Sequence, residues 1–130
     1  MKVLVLGGDG FCEWQTSLHL SDVGFDVCII DHLVRRKIDV ELEVESLTPI
    51  RSLGERRRVW KEVTGNEIGF YSLDISKQYK ELLEVFALEK PNAVVHFAEQ
   101  RSAPYSMKSS AHKRYTIDNN LNATNNVLAA

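Results

Sequence analysis

Residues 2–31 impose the strongest constraint on how this chain can fold. Lys2-Val3-Leu4-Val5-Leu6 is a short apolar run of strand character, and Gly7-Gly8-Asp9-Gly10-Phe11-Cys12-Glu13 follows without a gap. Residues 14–23 place apolar side chains at helical spacing, Gly24 ends them, and residues 25–30 form a second apolar run closed by Asp31. Strand, glycine turn, helix, strand and terminal acid, in that order, are the parts of a dinucleotide-binding βαβ unit.

Each position in the turn has a physical task. Gly7 makes the tight exit from the strand, where positive φ is cheap only for glycine. Gly10 carries no side chain, so a pyrophosphate can approach the backbone amides at the helix N-terminus. A third glycine normally lets helix and strand pack closely. Here that position holds Glu13. Its carboxylate suits the positive end of the helix dipole. Beside a pyrophosphate it adds bulk and like charge, which predicts weakened binding. Asp31 can accept both ribose hydroxyls and repels a 2′-phosphate, so it favours NAD over NADP. Arg35 and Arg36 follow closely; they read either as cations facing a phosphate or as a solvated loop.

The rest of the chain bounds the function classes. Its 130 residues suffice for one domain with a core, and 44% hydrophobic with 26% charged residues is ordinary globular composition. A net charge of −2 gives no electrostatic case for a nucleic acid partner. No apolar run approaches the ~20 residues of a membrane span, so no membrane partner is expected. Cys12 and Cys28 do not make a disulfide framework, and a reducing compartment fits them better. His19, His32, His96 and His112 have no metal-ligand spacing, so no metal site is expected. The N-terminus runs straight into a strand with no targeting segment, which is compatible with the cytoplasm or a plastid stroma.

Past Asp31 the pattern continues in α/β fashion. Residues 33–66 are a long polar insertion with a turn at Leu47-Thr48-Pro49-Ile50 and a helix over 53–63. Arg56-Arg57-Arg58 reads as that helix's wet face. Residues 68–73 are a third strand. Ser76 is the expected N-cap of a helix over 77–89. Residues 93–97 form a fourth, buried strand, 98–106 a loop, and 107–130 one long helix with an apolar face of Ile117, Leu121 and Leu128. The expectation is a partial Rossmann-type doubly wound sheet of four parallel strands in the order 3-2-1-4, with right-handed crossovers. Residues 1–130 then form the N-terminal part of an NAD-binding domain. The pattern stops before the later strands and a C-terminal substrate domain, so a truncated protein is expected.

The most specific words lie after the fourth strand. His96-Phe97-Ala98-Glu99-Gln100-Arg101-Ser102-Ala103-Pro104-Tyr105-Ser106-Met107 resembles the UDP-sulfoquinovose synthase family of extended short-chain dehydrogenase/reductases. So do Gly7-Gly8-Asp9-Gly10-Phe11-Cys12, Asp31-His32-Leu33-Val34-Arg35-Arg36 and Glu45-Ser46-Leu47-Thr48-Pro49-Ile50. The resemblance covers this whole chain but only about the N-terminal third of such an enzyme. It implies an NAD-dependent conversion of UDP-glucose and sulfite to UDP-sulfoquinovose for sulfolipid. The sugar is oxidised at C4, loses water, takes up sulfite at C6 and is reduced again. By this match Phe11 and Cys12 lie under the pyrophosphate, and Asp31, His32 and Arg35 hold the adenosine ribose. Asp74 and Ile75 meet the adenine. Phe97, Ala98, Arg101 and Asn119 line the inner half of the cofactor. Gln100 and Arg101 face the sugar or sulfite, with Arg101 suited to pair an oxyanion bidentately. A homodimer of the full-length enzyme stays open as a partner reading.

Three departures from the family pattern stand out. Glu13 replaces a glycine, and His32 stands where the family usually has Asn. The third concerns the superfamily's Tyr-x-x-x-Lys pair, in which the Lys lowers the pKa of the Tyr that moves the proton. The residues four beyond Tyr71, Tyr79, Tyr105 and Tyr115 are Ile75, Leu83, Ser109 and Asn119, so no catalytic residue is assigned in this chain. Two alternatives remain: another nucleotide-sugar epimerase or dehydratase, and a non-catalytic dinucleotide-binding module.

Overall fold

A computed structural model describes residues 1–130. Four strands, β1 (Lys2–Leu6), β2 (Asp26–Asp31), β3 (Ile68–Ser72) and β4 (Ala93–His96), pair in parallel in the order β3-β2-β1-β4. Parallel strands bury both faces, so their apolar residues are nearly continuous. The alternation still sorts them. Leu4, Leu6, Cys28 and Ile30 point to one face, where Leu73, Ile75, Leu82, Val85 and Ala123 cover them. Val3, Val5, Val27 and Ile29 point to the other, with Leu53 and Ile68. Burial among these side chains pushes the Cys28 thiol up to about 12. Cys12, by contrast, is exposed.

Helix α1 (Phe11–Asp22) begins at Phe11, three residues before the first apolar residue of the expected helical stretch. Its fully buried side chains are Ser17 and Ser21, not the larger apolar ones. Two small residues one helical turn apart let α1 sit close to the sheet, and Ser17 Oγ satisfies itself by donating to the Glu13 carbonyl at 2.8 Å.

The insertion is more ordered than its polarity suggests. It holds α2 (Val34–Glu41) and α3 (Leu53–Thr64), the latter capped by Ser52, whose Oγ accepts from Glu55 N at 3.2 Å. Trp60 Nε1 donates to Ser21 Oγ at 3.0 Å, and Asn66 Nδ2 to the Ser21 carbonyl at 3.2 Å, which ties α3 and its exit to α1. The three arginines of α3 do not share a wet face. Arg56 pairs with buried Asp9, and Arg57 Nε donates to the Ile68 carbonyl at 2.6 Å; only Arg58 stays outside, beside Glu62.

Three further expectations are corrected. Helix α4 (Tyr79–Glu89) starts two residues later than expected, and Ser76 does not cap it. Asp74 instead gathers Ser76 N and Ser76 Oγ on its Oδ1, at 3.1 and 2.6 Å, forming an Asx turn ahead of the helix. Strand β4 is half-buried, because β1 covers one edge and nothing in this chain pairs the other. The expected single helix over 107–130 is α5 (Ala103–Met107) followed by α6 (Ser110–Ala129). Ser102 and Ser109 cap them, so the segment bends where it was expected to run straight. Along α6 the buried positions are Asn119 and Ala123, while Ile117, Leu121 and Leu128 stay exposed. No helix is long and apolar enough to cross a membrane.

Candidate functional site

The C-terminal ends of β1, β2 and β4 open into a cleft of about 260 Å³. This is where open parallel sheets hold ligands, since the strand order reverses around β1. Gly7, Gly10, Asp31, His32, Arg35, Asp74, Ile75, Phe97, Ala98, Gln100, Arg101 and Asn119 all line it. Phe11 and Cys12 do not; they occupy the first turn of α1 with Phe11's ring mostly in solvent. The cleft also takes Asp9, Glu13 and Tyr115, which the family match did not place.

The glycine turn forms the floor. Gly7 has φ +86°, and a Cβ there would come within 2.9 Å of the Ala98 backbone, so the turn and the post-β4 loop touch. Helix α1 has no side-chain cap. Its first amides therefore have no acceptor in the chain's own helix and can donate to an anion. Against this stands Glu13, whose carboxylate folds back onto Gly10. A Cβ on Gly10 would lie 2.0 Å from Glu13 Oε2, so the side chain fills the space that the glycine leaves free.

Asp31 anchors the next wall. Its Oδ2 accepts from Asp9 N at 2.9 Å and its Oδ1 from Leu33 N at 2.6 Å. Each oxygen keeps a lone pair for a ligand hydroxyl. Asp9 is itself buried and accepts from Arg36 Nε at 2.8 Å and from Arg56 Nη2. Burial pushes the Arg56 guanidinium down, against the opposing charge of Asp9. At the adjoining wall, burial works to raise the Asp74 carboxyl, but bonds from Ser76 and Lys77 and the nearby His32 leave it below the usual carboxylate value.

The far wall is the loop after β4. Gln100 staples it: Nε2 donates to Thr116 Oγ1 at 2.9 Å and to the Ser102 carbonyl at 3.1 Å, while Asn120 clamps the Gln100 backbone at both N and O. Both amide protons of Gln100 are thus used inside the protein. Arg101 is exposed, lines the cleft and makes no ion pair or hydrogen bond, so its guanidinium is unengaged. Ala98 N donates to His96 Nδ1 at 3.3 Å, and burial lowers the His96 pKa, so the ring serves as a neutral brace. Tyr115 Oη is buried without a partner, and burial, then Asp74 and Tyr105, push its pKa up to about 12. An orphaned hydroxyl in a cleft wall is a donor waiting for an acceptor.

Outside the cleft, α2 and the α5–α6 arm are hooked together. Glu41 accepts from His112 Nε2 at 2.6 Å, from Tyr105 Oη at 3.2 Å and from Lys108 Nζ at 3.4 Å. Neither Glu41 nor this contact is visible in the local sequence, since its partners lie 64 to 71 residues away.

A parallel sheet with an uncapped first helix, a glycine turn that excludes Cβ atoms and an acid ending the second strand defines a dinucleotide-binding domain of Rossmann type. The family profile for the NAD dependent epimerase/dehydratase family matches residues 3–130, and the chain belongs to that family. It is 50% identical over 129 residues to the chloroplastic UDP-sulfoquinovose synthase of Spinacia oleracea, covering 99% of this chain and 27% of that protein. It is 40% identical over 132 residues to UDP-sulfoquinovose synthase of Sulfolobus acidocaldarius, covering all of this chain and 33% of the relative. Among solved structures, UDP-glucose 4-epimerase from Bifidobacterium longum in complex with NAD+ and UDP superposes with a TM-score of 0.74 at 26% identity. That match covers 99% of this chain and 32% of the epimerase. The chain therefore spans about a quarter to a third of the length of the relatives it matches.

Proposed function

We propose that this chain is the NAD-binding portion of a UDP-sulfoquinovose synthase-like enzyme. The observation that carries the reading is the cleft itself: the uncapped end of α1, the Asp31 carboxylate and the loop from Phe97 to Arg101 all face one space. The identity to the spinach and Sulfolobus synthases supports the choice within the superfamily.

The residues present fit a dinucleotide. The α1 amides suit the pyrophosphate, Asp31 the adenosine ribose with His32 and Arg35 beside it, and Asp74 with Ile75 the adenine edge. Phe97, Ala98 and Asn119 suit the inner half, and the orphaned Tyr115 hydroxyl adds a donor to the cleft wall. Glu13 is the one group that opposes the fit. When bound, NAD supplies a hydride acceptor and returns the hydride later. The chain's own part is to hold the ends of that molecule and, through Arg101, to present a cation toward an anionic substrate such as sulfite or a UDP-sugar. No Tyr-x-x-x-Lys pair exists among these residues, so the proton transfer that accompanies hydride removal has no donor–acceptor pair here.

Glu13 and that absence favour a second reading, a dinucleotide-binding module without turnover. Calorimetric titration with NAD+ tests the shared part: saturable one-to-one binding is expected, and a folded chain that does not bind overturns both readings. An assay with UDP-glucose, sulfite and NAD+ is expected to give no UDP-sulfoquinovose from the 130-residue chain. A protein that extends it to a Tyr-x-x-x-Lys pair should give product, and failure there leaves the module reading.

A further inference from the structure

Asp9 is an acid in a glycine turn, where nothing about the turn requires one. Its carboxylate is 3% exposed, and it is not left unpaired. Arg36 arrives from α2 and Arg56 from α3, and both close on it. Its backbone N–H is simultaneously bonded to Asp31 Oδ2. One residue therefore joins the acid at the end of β2 to both guanidiniums. Two carboxylates and two guanidiniums make a neutral set at the wall where a ribose would be read.

Arg36 is the informative member. Its neighbour Arg35 lines the cleft, but Arg36 does not; its Nε is turned onto Asp9, and its Nη1 lies 4.0 Å from Asp39. Arg36 Nη2 and Arg56 Nε are buried without partners, so both guanidiniums keep donor capacity already stripped of water. A fork of that kind binds a phosphate well when free to do so.

We propose that Asp9 is a specificity-determining residue: by holding Arg36 and Arg56, it keeps their charge from the 2′-position of a bound adenosine ribose. The cleft then accepts a dinucleotide with a free 2′-hydroxyl and refuses one with a 2′-phosphate. Asp31 repels the phosphate directly; Asp9 withholds the cations that would offset that repulsion. This inference rests on the dinucleotide reading above.

The test is binding of NAD+ and NADP+ by calorimetry, with NADP+ also run as a competitor of NAD+. Asp9→Asn keeps the backbone bond to Asp31 and removes the charge that holds the arginines. The ratio of NADP+ to NAD+ affinity is expected to rise at least about tenfold, the size of a modest charge-pair change. Adding Arg36→Gln to that variant should return the ratio toward the original. Arg36→Gln alone should change the ratio by less than about threefold, about half of that tenfold step in free energy, because Arg36 is already engaged. A folded Asp9→Asn variant with an unchanged ratio overturns the proposal, as does a tenfold loss of NADP+ affinity on Arg36→Gln alone. If Asp9→Asn shows no cooperative melt, Arg36→Gln alone decides. If the unmodified chain binds neither dinucleotide, the dinucleotide reading falls and takes this inference with it; binding of NAD+ with an unmoved ratio removes only the inference.

Discussion

The two walls of the cleft are built on opposite plans. The β2 wall is wired outward to distant elements: Asp31 holds Asp9 and Leu33, and Asp9 holds Arg36 and Arg56 from two helices of the insertion. The β4 wall is wired inward: Gln100, Ser102, Thr116 and Asn120 bond to one another and leave Arg101 unengaged. A charged hub fixes the position of a carboxylate, whereas a neutral staple fixes the shape of a loop and leaves its charge available. The first suits recognition of a constant group, the second a contact that forms only when a ligand arrives.

The largest effect should come from cutting the outward wiring. Asp31→Ala strands two amides, each costing about 1–3 kcal/mol when a buried donor loses its acceptor. A loss of about 3 kcal/mol in denaturant unfolding and loss of NAD+ binding by calorimetry are expected. A cost below about 1 kcal/mol would show that this wall is not held by its acid. The inward wall should respond more weakly. Gln100→Ala is expected to cost about 1–2 kcal/mol, whereas Arg101→Ala should fall within the ~0.5 kcal/mol typical of free surface groups. Equal costs at 100 and 101 would break the distinction.

Glu13 sits between the walls and tests neither plan but the floor. Glu13→Gly removes a carboxylate packed on Gly10 and should tighten NAD+ binding about tenfold, worth ~1.4 kcal/mol, with NAD+ still preferred over NADP+ because Asp31 and Asp9 are untouched. Equal affinity in both proteins would mean that the carboxylate swings clear at no cost.

The smallest effect concerns the hook between α2 and the α5–α6 arm, outside the cleft. The bond from His112, helped by Lys108 and Tyr105, holds the Glu41 carboxyl below its usual value. A depressed carboxylate stabilises above its unfolded pKa and loses that contribution as pH falls through the folded one. The protection factors of α2 amides, taken against their intrinsic exchange rates, should therefore fall below the ordinary Glu range while those of the sheet amides hold. The Glu41→Gln variant should show the lower α2 protection already at neutral pH.

Much of the architecture was legible in the residues. The four strands follow from apolar runs that need only local reading, and their order from the alternation of strands and helices; of the expected site residues between Gly7 and Asn119, all but Phe11 and Cys12 line one cleft. What escaped has a common cause. Helix α2 is polar, and its N-cap is Leu33 in a left-handed conformation, so it offers none of the usual start signals. Arg56 looked solvated because its partner is 47 residues away, and Tyr115 looked like one more residue of a helix because the cleft it faces is assembled by other elements. Asp74, not Ser76, organises the turn before α4, since either side chain can bond the local backbone and only the three-dimensional setting decides.

The contrast between the two thiols turns the molecule into its own instrument. Cys28 is sealed between strands with its thiol held protonated, while Cys12 stands in solvent in the first turn of α1, beside Glu13 and two residues from Gly10. A maleimide dye should therefore attach at one site only, with no cysteine removed beforehand. That label would ride on the rim of the glycine turn, so its brightness would track the filling of the cleft in real time and give each variant above an optical readout from a single labelling protocol.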